Sequence, residues 1–446
     1  MKRTWIRHAQ IVNEDRIEKG GVVIENDLIA EILSEKEKPA SPIDEEIDAK
    51  GGYLLPGVID EHVHFRDPGL THKADMHTES AAAAAGGVTS FMDMPNTNPQ
   101  TTTVEALEHK FADAARKSIV NYSFYFGATN TNADLLPQLN ERRVCGVKLF
   151  MGASTGDMLV NRTETLRKVF DLSPILIAAH CEEQAIVEAN TERFRSNYGD
   201  DPAIGYHPLI RSEEACYRSS ALAVKLAEEY GSRLHILHVS TARELNLFED
   251  KPVNEKRITA ETTVAHLYFC DKDYASLGTR IKCNPAIKTE ADREALRKAL
   301  RTNRIDTIGT DHAPHLLEEK RGGALKAVSG MPTIQFSLVA LLELAKQGVL
   351  SVEQVVRKMC HAPALLYQIK GRGFVRKGYK ADLVLVDPNR SWTVESRDIL
   401  SKCRWSPLEG QTFHTKILKT FVNGYPVYDG NTVDENFRGE ALRFER

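Results

Sequence analysis

The chain has 446 residues, 42% hydrophobic and 27% charged, enough for one large globular domain with a small companion. Net charge is −4 with both signs mixed along the chain, which excludes the clustered basic face of a nucleic-acid binder. The opening MKRTWIRHAQIVNED lacks the apolar core of a signal peptide, no stretch reaches the ~18 apolar residues of a membrane helix, and seven scattered cysteines without a CxxC predict a reducing cytoplasm.

In chain order, WIRHAQIVNEDRIEKGGVVIENDLIAEIL alternates polar and apolar positions and breaks at Gly20-Gly21 and Asn26-Asp27, which predicts short strands joined by turns. The period then changes. GVIDEHVH, GVTSFMDMP, NYSFYFGAT, CGVKLFMG, PILIAAHC, RLHILHVS, RITAETTVAH and IDTIGTDH are eight apolar strand candidates, and near-continuous apolar runs of this kind are what buried parallel strands require. Helical patterns separate several of them. Ala81–Ala85 reads as a helix interior ending at Gly86-Gly87. Ser212–Tyr230 reads as a helix, Thr289 with Asp292 has capping-box spacing, and Ser351 with Gln354 repeats it. The tail returns to strand patterns in GFVRKGYKADLVLVDP and KILKTFVNGYPVYDG, the latter broken by an Asn423-Gly424 turn. Both ends are therefore expected to pair into one small β domain around an inserted barrel.

Six side chains with metal-site potential sit at or near the ends of the barrel candidates: His62, His64, Lys148, His180, His238 and Asp311. His62 and His64, two apart on a strand, face the same side. Taken singly, each histidine is more often a core or surface residue. His8, His109 and His414 read as surface positions, and His235 lies inside its strand. Collected at the carboxyl ends of parallel strands, where β/α barrels do their chemistry, the imidazoles and one carboxylate suit zinc or a similar ion. Four histidines and one aspartate can serve two ions if something bridges them. An ammonium cannot, and the bland reading of Lys148 is a side chain reaching from a strand end to water. A buried lysine with a lowered pKa can, however, react with CO2 to give an anionic carbamate, and that would be a bridge.

HVHFRDPG, DMPNTNP, GVKLFMG, the two strand-end histidines, NPAIKTEADREAL and GTDHAPH together resemble the dihydroorotases of the amidohydrolase superfamily, from about Ile59 to Ala364. The resemblance implies an α/β fold, a distorted (β/α)8 TIM barrel at 55–368 with a composite β-sandwich built from 1–54 and 369–446. It implies two Zn2+ per chain, with His62, His64 and Asp311 on the buried ion and His180 and His238 on the more exposed one. Lys148 as N6-carboxylysine, formed with CO2, and a hydroxide would bridge them. Some bacterial dihydroorotases use an aspartate in the comparable role, which keeps Asp157 of KLFMGASTGD in reserve.

The implied reaction is reversible hydrolytic opening of (S)-dihydroorotate to N-carbamoyl-L-aspartate in pyrimidine biosynthesis, with Asp311 as general acid/base. The substrate ring carries a carboxylate, which calls for a forked guanidinium. Arg66, two residues past His64, can reach the same mouth. Asn96, Asn284 and His315 match further carboxylate-binding positions, and backbone near Gly330 and Met331 is expected to touch the ring. The partner is this small molecule, with no nucleic acid or membrane, and a homo-oligomer is left open. Another cyclic amidase, either an allantoinase or a dihydropyrimidinase (hydantoinase), is the alternative; Arg66 and the FRDPG run favour the dihydroorotases. A non-catalytic homologue is more remote, because every ligand position is filled.

Overall fold

The computed structural model describes residues 2–152 and 158–446; the reserve candidate Asp157 lies outside the described residues. Five strands open the chain: β1 (Arg3–Asn13), β2 (Arg16–Glu25), β3 (Leu28–Ser34), β4 (Glu45–Asp48) and β5 (Tyr53–Pro56). The eight apolar candidates then appear as β6 (Val58–Val63), β7 (Val88–Asp93), β8 (Asn121–Gly127), β9 (Gly146–Phe150), β10 (Ile177–His180), β11 (Leu234–Ile236), β12 (Ile258–Thr263) and β13 (Thr307–Gly309). They pair in sequence order from β6 to β13, and each pair is parallel. The ring closes where His64 N donates to His312 O at 2.8 Å and Val63 bridges His312. Asp60 in β6 reinforces this seam by accepting Thr310 Oγ1 at 2.6 Å. The result is the distorted TIM barrel.

Helices cover the outside, and local chemistry sets their ends. Met76–Ala85 stops at Gly86, with Gly87 following at φ 78°. Glu290–Ala299 starts in a reciprocal Thr289–Asp292 capping box, and Val352–Val356 in a Ser351–Gln354 box. The strand ends near the site are tied to the helical layer. Asp93 at the end of β7 accepts Phe65 N at 2.7 Å and pairs with the buried Lys110 Nζ at 2.5 Å. This fixes the path of the chain between His64 and Arg66.

The tail supplies β14 (Leu383–Asp387), β15 (Trp392–Thr393), β16 (Thr412–Phe413), β17 (Lys416–Val422) and β18 (Tyr425–Tyr428). The two chain ends share one sheet in the order β18-β17-β14-β5-β1-β2-β3, with β4 also paired to β1, while β15 and β16 form a separate ribbon. The β17–β18 turn has Asn423 at φ 50° and Gly424 at φ 76°, the left-handed pair a tight hairpin needs. The end sheet is joined to the barrel by buried polar groups. Asp382 pairs with Arg372, accepts Asn423 N at 2.8 Å and lies 3.4 Å from Asn121 Nδ2 at the start of β8.

Removing one member of a buried ion pair leaves the other charge unpaired, which typically costs about 3–5 kcal/mol. Asp382→Ala is therefore expected to lower the unfolding free energy by about that amount in urea titrations followed by circular dichroism. A loss below ~1 kcal/mol, the scale of an exposed pair, would show that Glu440, already 3.4 Å from Arg372 NH2, suffices as its partner.

Candidate metal centre

A cavity of about 470 Å³ opens at the carboxyl ends of the barrel strands, and His62, His64, Lys148, His180, His238 and Asp311 all line it. The alternation of β6 sends His62 and the following His64 to one side, and both ring Nε2 atoms approach the same carboxylate oxygen. His62 Nε2 lies 3.2 Å and His64 Nε2 3.1 Å from Asp311 Oδ1. The proton positions on these rings follow from their other contacts. His62 Nδ1 faces Glu261 Oε1 at 2.9 Å, an oxygen that already accepts the His238 backbone N–H at 2.9 Å, so the ring must donate. His64 Nδ1 faces the Asn96 amide oxygen at 2.7 Å and donates as well. Both Nε2 atoms therefore present lone pairs to a carboxylate oxygen. Three acceptors meet with no proton between them, the arrangement a cation resolves.

The second pair of rings also meets, here across one hydrogen bond. His180 Nδ1 and His238 Nε2 are 2.8 Å apart, and His180 Nε2 donates to Glu182 Oε2 at 2.9 Å. His238 Nδ1 is buried without a hydrogen-bond partner among the described residues. Burial keeps these rings neutral. It depresses the His62 pKa to about 3 and that of His64 to about 4, and lowers those of His180 and His238. Burial also works against ionised Asp311, but in acid, where His62 and His64 carry protons, those rings and Lys148 outweigh it, so the carboxyl ionises well below its usual range and before the rings lose their charge. These donors fit a borderline divalent cation.

Lys148 lies in β9 with its residue 1% exposed. Its Nζ sits 4.5 Å from the centre of the Phe150 ring, and burial lowers its pKa to about 8. Such an amine is neutral often enough near neutral pH to react with CO2. His235 is the ordinary core histidine its place inside β11 suggested, its two ring nitrogens facing Thr259 and Thr307 hydroxyls at 2.8 and 3.3 Å.

Arg66, Asn96, Asn284, His315 and Gly330 line the same cavity. Arg66 is buried, donates Nε to Pro314 O at 3.0 Å and places NH2 2.9 Å from His315 Nε2. Asn284 Oδ1 accepts Ser329 Oγ at 2.9 Å. Met331 is outside the cavity wall, and its carbonyl accepts Ala313 N at 3.0 Å. Asn96 has a second use: its amide oxygen sets the His64 tautomer. Arg66, His238 and Asp311 adopt φ of 64°, 40° and 48°, a left-handed backbone that costs about 1–3 kcal/mol per non-glycine residue and clusters at functional sites.

The supporting carboxylates are what reading the residues missed. Glu182 is fully buried, holds His180 and pairs with Arg211. Burial alone would raise its pKa, yet Arg211 and His180 pull it to about 2. Glu261 supports His62 from β12, two strands away around the barrel. Each had a sequence trace, an acidic residue inside or just past an apolar strand run, in ITAETT and AAHCEE.

A family model described as the amidohydrolase family matches residues 53–427. The dihydroorotase of Halobacterium salinarum is 34% identical over 404 residues, 89% of this chain and 91% of that protein. The dihydroorotase of Methanothermobacter thermautotrophicus is also 34% identical, over 88% of each chain. Among solved structures, the L-hydantoinase (dihydropyrimidinase) of Arthrobacter aurescens superposes with a TM-score of 0.92 at 25% identity, covering 99% of this chain and all of that one.

A carboxylate that holds a liganding imidazole typically contributes 10–100-fold in metal affinity. Glu182→Gln is expected to weaken zinc binding about 10–100-fold in competition with a chromogenic chelator, with secondary structure unchanged. Wild-type affinity would show that Glu182 serves Arg211 alone.

Proposed function

The chain belongs to the amidohydrolase family and, within it, to the dihydroorotases, and we propose that it opens (S)-dihydroorotate reversibly to N-carbamoyl-L-aspartate at a binuclear zinc centre in pyrimidine biosynthesis. One observation carries the substrate side of this reading: a buried guanidinium, Arg66, lies in the same cavity as the converging imidazoles. A cation there suits a ring that bears a carboxylate. The wall also carries Arg211 and Lys282, and Asp311 is its one acidic member among the described residues.

On this reading His62, His64 and Asp311 would hold one ion, and His180 and His238 the other. Lys148, as N6-carboxylysine, would supply the shared oxygen ligand. Bound there, the two ions would acidify a water and polarise the amide carbonyl. The chain's own groups do the rest. Arg66 and His315 hold the ring carboxylate, with Asn96 and Asn284 at the same wall. Asp311 Oδ1 faces the two imidazoles, and Oδ2 would take the proton of the attacking water and return it to the leaving nitrogen. The protein is expected to work in the cytoplasm on this small molecule alone. Its likeness to a hydantoinase structure supports a second reading, a cyclic amidase for uncharged rings, and Arg66 discriminates between the two.

A charge-assisted contact is worth roughly 1.5–3 kcal/mol. Arg66→Lys keeps the charge and loses the fork, so kcat/KM for dihydroorotate should fall about tenfold to a few hundredfold, and activity on dihydrouracil far less. Equal losses on both rings, at unchanged metal content, would make Arg66 structural and favour the second reading. Lys148→Ala should lose metal and activity together, with partial return on adding a short carboxylic acid. At fixed dissolved CO2, metal uptake by stripped wild-type protein should quicken as pH rises towards about 8, where the Lys148 amine loses its proton. Full activity and metal content in Lys148→Ala would move the bridging role elsewhere.

A further inference from the structure

His315 stands between two cations. Its Nδ1 lies 3.1 Å from Lys73 Nζ, and its Nε2 lies 2.9 Å from Arg66 NH2. Ammonium and guanidinium groups only donate, and a neutral imidazole has one lone pair and one N–H. Burial, then Arg66, Lys73 and Lys320, hold His315 far below the usual histidine range, so the ring is neutral. It can accept from one of the two cations. Towards the other it must turn a hydrogen.

The surroundings decide which. Lys73 is fixed from behind. Its Nζ pairs with Glu319 Oε1 at 2.6 Å, and Glu319 Oε2 accepts Leu316 N at 2.9 Å. Glu319 Oε2 is 3.6 Å from His315 Nδ1, too far for a hydrogen bond, so a hydrogen on Nδ1 would face an ammonium with no acceptor in reach among the described residues. Lys73 is also not part of the cavity wall, whereas Arg66 and His315 are. A hydrogen on Nε2 faces a guanidinium at the cavity, where an incoming oxygen can accept from both.

We propose that Lys73 is a positioning residue that fixes His315 in the tautomer with its lone pair on Nδ1, so that Nε2–H and Arg66 NH2 form a paired donor site for one carboxylate. This rests on the carboxylate-bearing substrate proposed above. It gives Lys73 a part in specificity without contact with the substrate. The unmatched pair of donors, 2.9 Å apart in the free protein, is satisfied only when an anion enters. Uncharged rings gain nothing from it.

The test reads the ring nitrogens of the zinc-loaded full-length enzyme, ¹⁵N-labelled at histidine, with His315→Gln identifying the signals. In wild type, His315 should show Nδ1 unprotonated and Nε2 protonated. Lys73→Met removes the donor behind Nδ1, and the protonation pattern should reverse. KM for dihydroorotate should then rise about tenfold, the scale of one charge-assisted hydrogen bond, with a smaller change in kcat. Lys73→Arg should restore both the spectrum and KM. A wild-type ring protonated on Nδ1, or an unchanged tautomer and KM in Lys73→Met, would overturn the proposal. A wild-type enzyme inert towards dihydroorotate would sink the substrate reading instead, and the ring spectra would still decide the tautomer.

Discussion

Lone pairs on His62 Nε2, His64 Nε2 and Asp311 Oδ1 meet within 3.2 Å because Glu261 and Asn96 hold the ring protons on the far side. Nothing among the described residues satisfies that junction, and in a buried site an unsatisfied polar group costs about 1–3 kcal/mol, more where charge is involved. A cation turns each repulsion into a bond. Much of the barrel mouth follows from this. The rings must be neutral, so they are buried. They must not turn, so His62, His64 and His180 each have a partner outside the centre. The backbone must deliver them at a fixed angle, and His238 and Asp311 accept left-handed φ to do so.

The complementary mismatch lies across the cavity, where Arg66 and His315 bring donors together. An acceptor-rich pocket beside a donor-rich one suits a metal on one side and an anion on the other. Both pockets depend on a second layer of groups that touch neither ligand. Glu261, Asn96 and Glu182 orient the metal side, and Glu182 is itself held by Arg211. On the anion side Lys320 donates to the Lys282, Val328 and Gly330 carbonyls at 3.1, 2.7 and 2.7 Å, pinning the wall that carries Asn284 and Gly330. Close packing of such a layer transmits small displacements, so changes at Glu182, Glu261 or Lys320 should be felt at the site.

Much of this was legible in the sequence because the barrel repeats one signal. Eight apolar runs became β6–β13, and the predicted caps at Thr289 and Ser351 formed as boxes. The ligand set was legible because His62 and His64 share a strand face and the rest sit near strand ends. The supporting residues were not. Glu261 and Lys73 act through partners 199 and 242 positions away, and no local pattern marks such a pairing. The end sheet shows the same limit. Turn chemistry announces the β17–β18 hairpin, but the contacts of β5 with β14 and of β4 with β1 join segments with no shared local signal. Backbone near Gly330 and Met331 was expected at the substrate; Gly330 lines the cavity, and the Met331 carbonyl accepts Ala313 N.

The most direct measurement is a steady-state comparison of the zinc-loaded protein on dihydroorotate, dihydrouracil, hydantoin and allantoin under one set of conditions. A site that pairs the converging imidazoles with Arg66 and His315 predicts that kcat/KM for dihydroorotate exceeds that for each uncharged ring by at least about tenfold, the scale of one charge-assisted contact. Equal or greater kcat/KM on dihydrouracil or hydantoin would contradict it, and would mean that the donor pocket serves the fold and not the substrate.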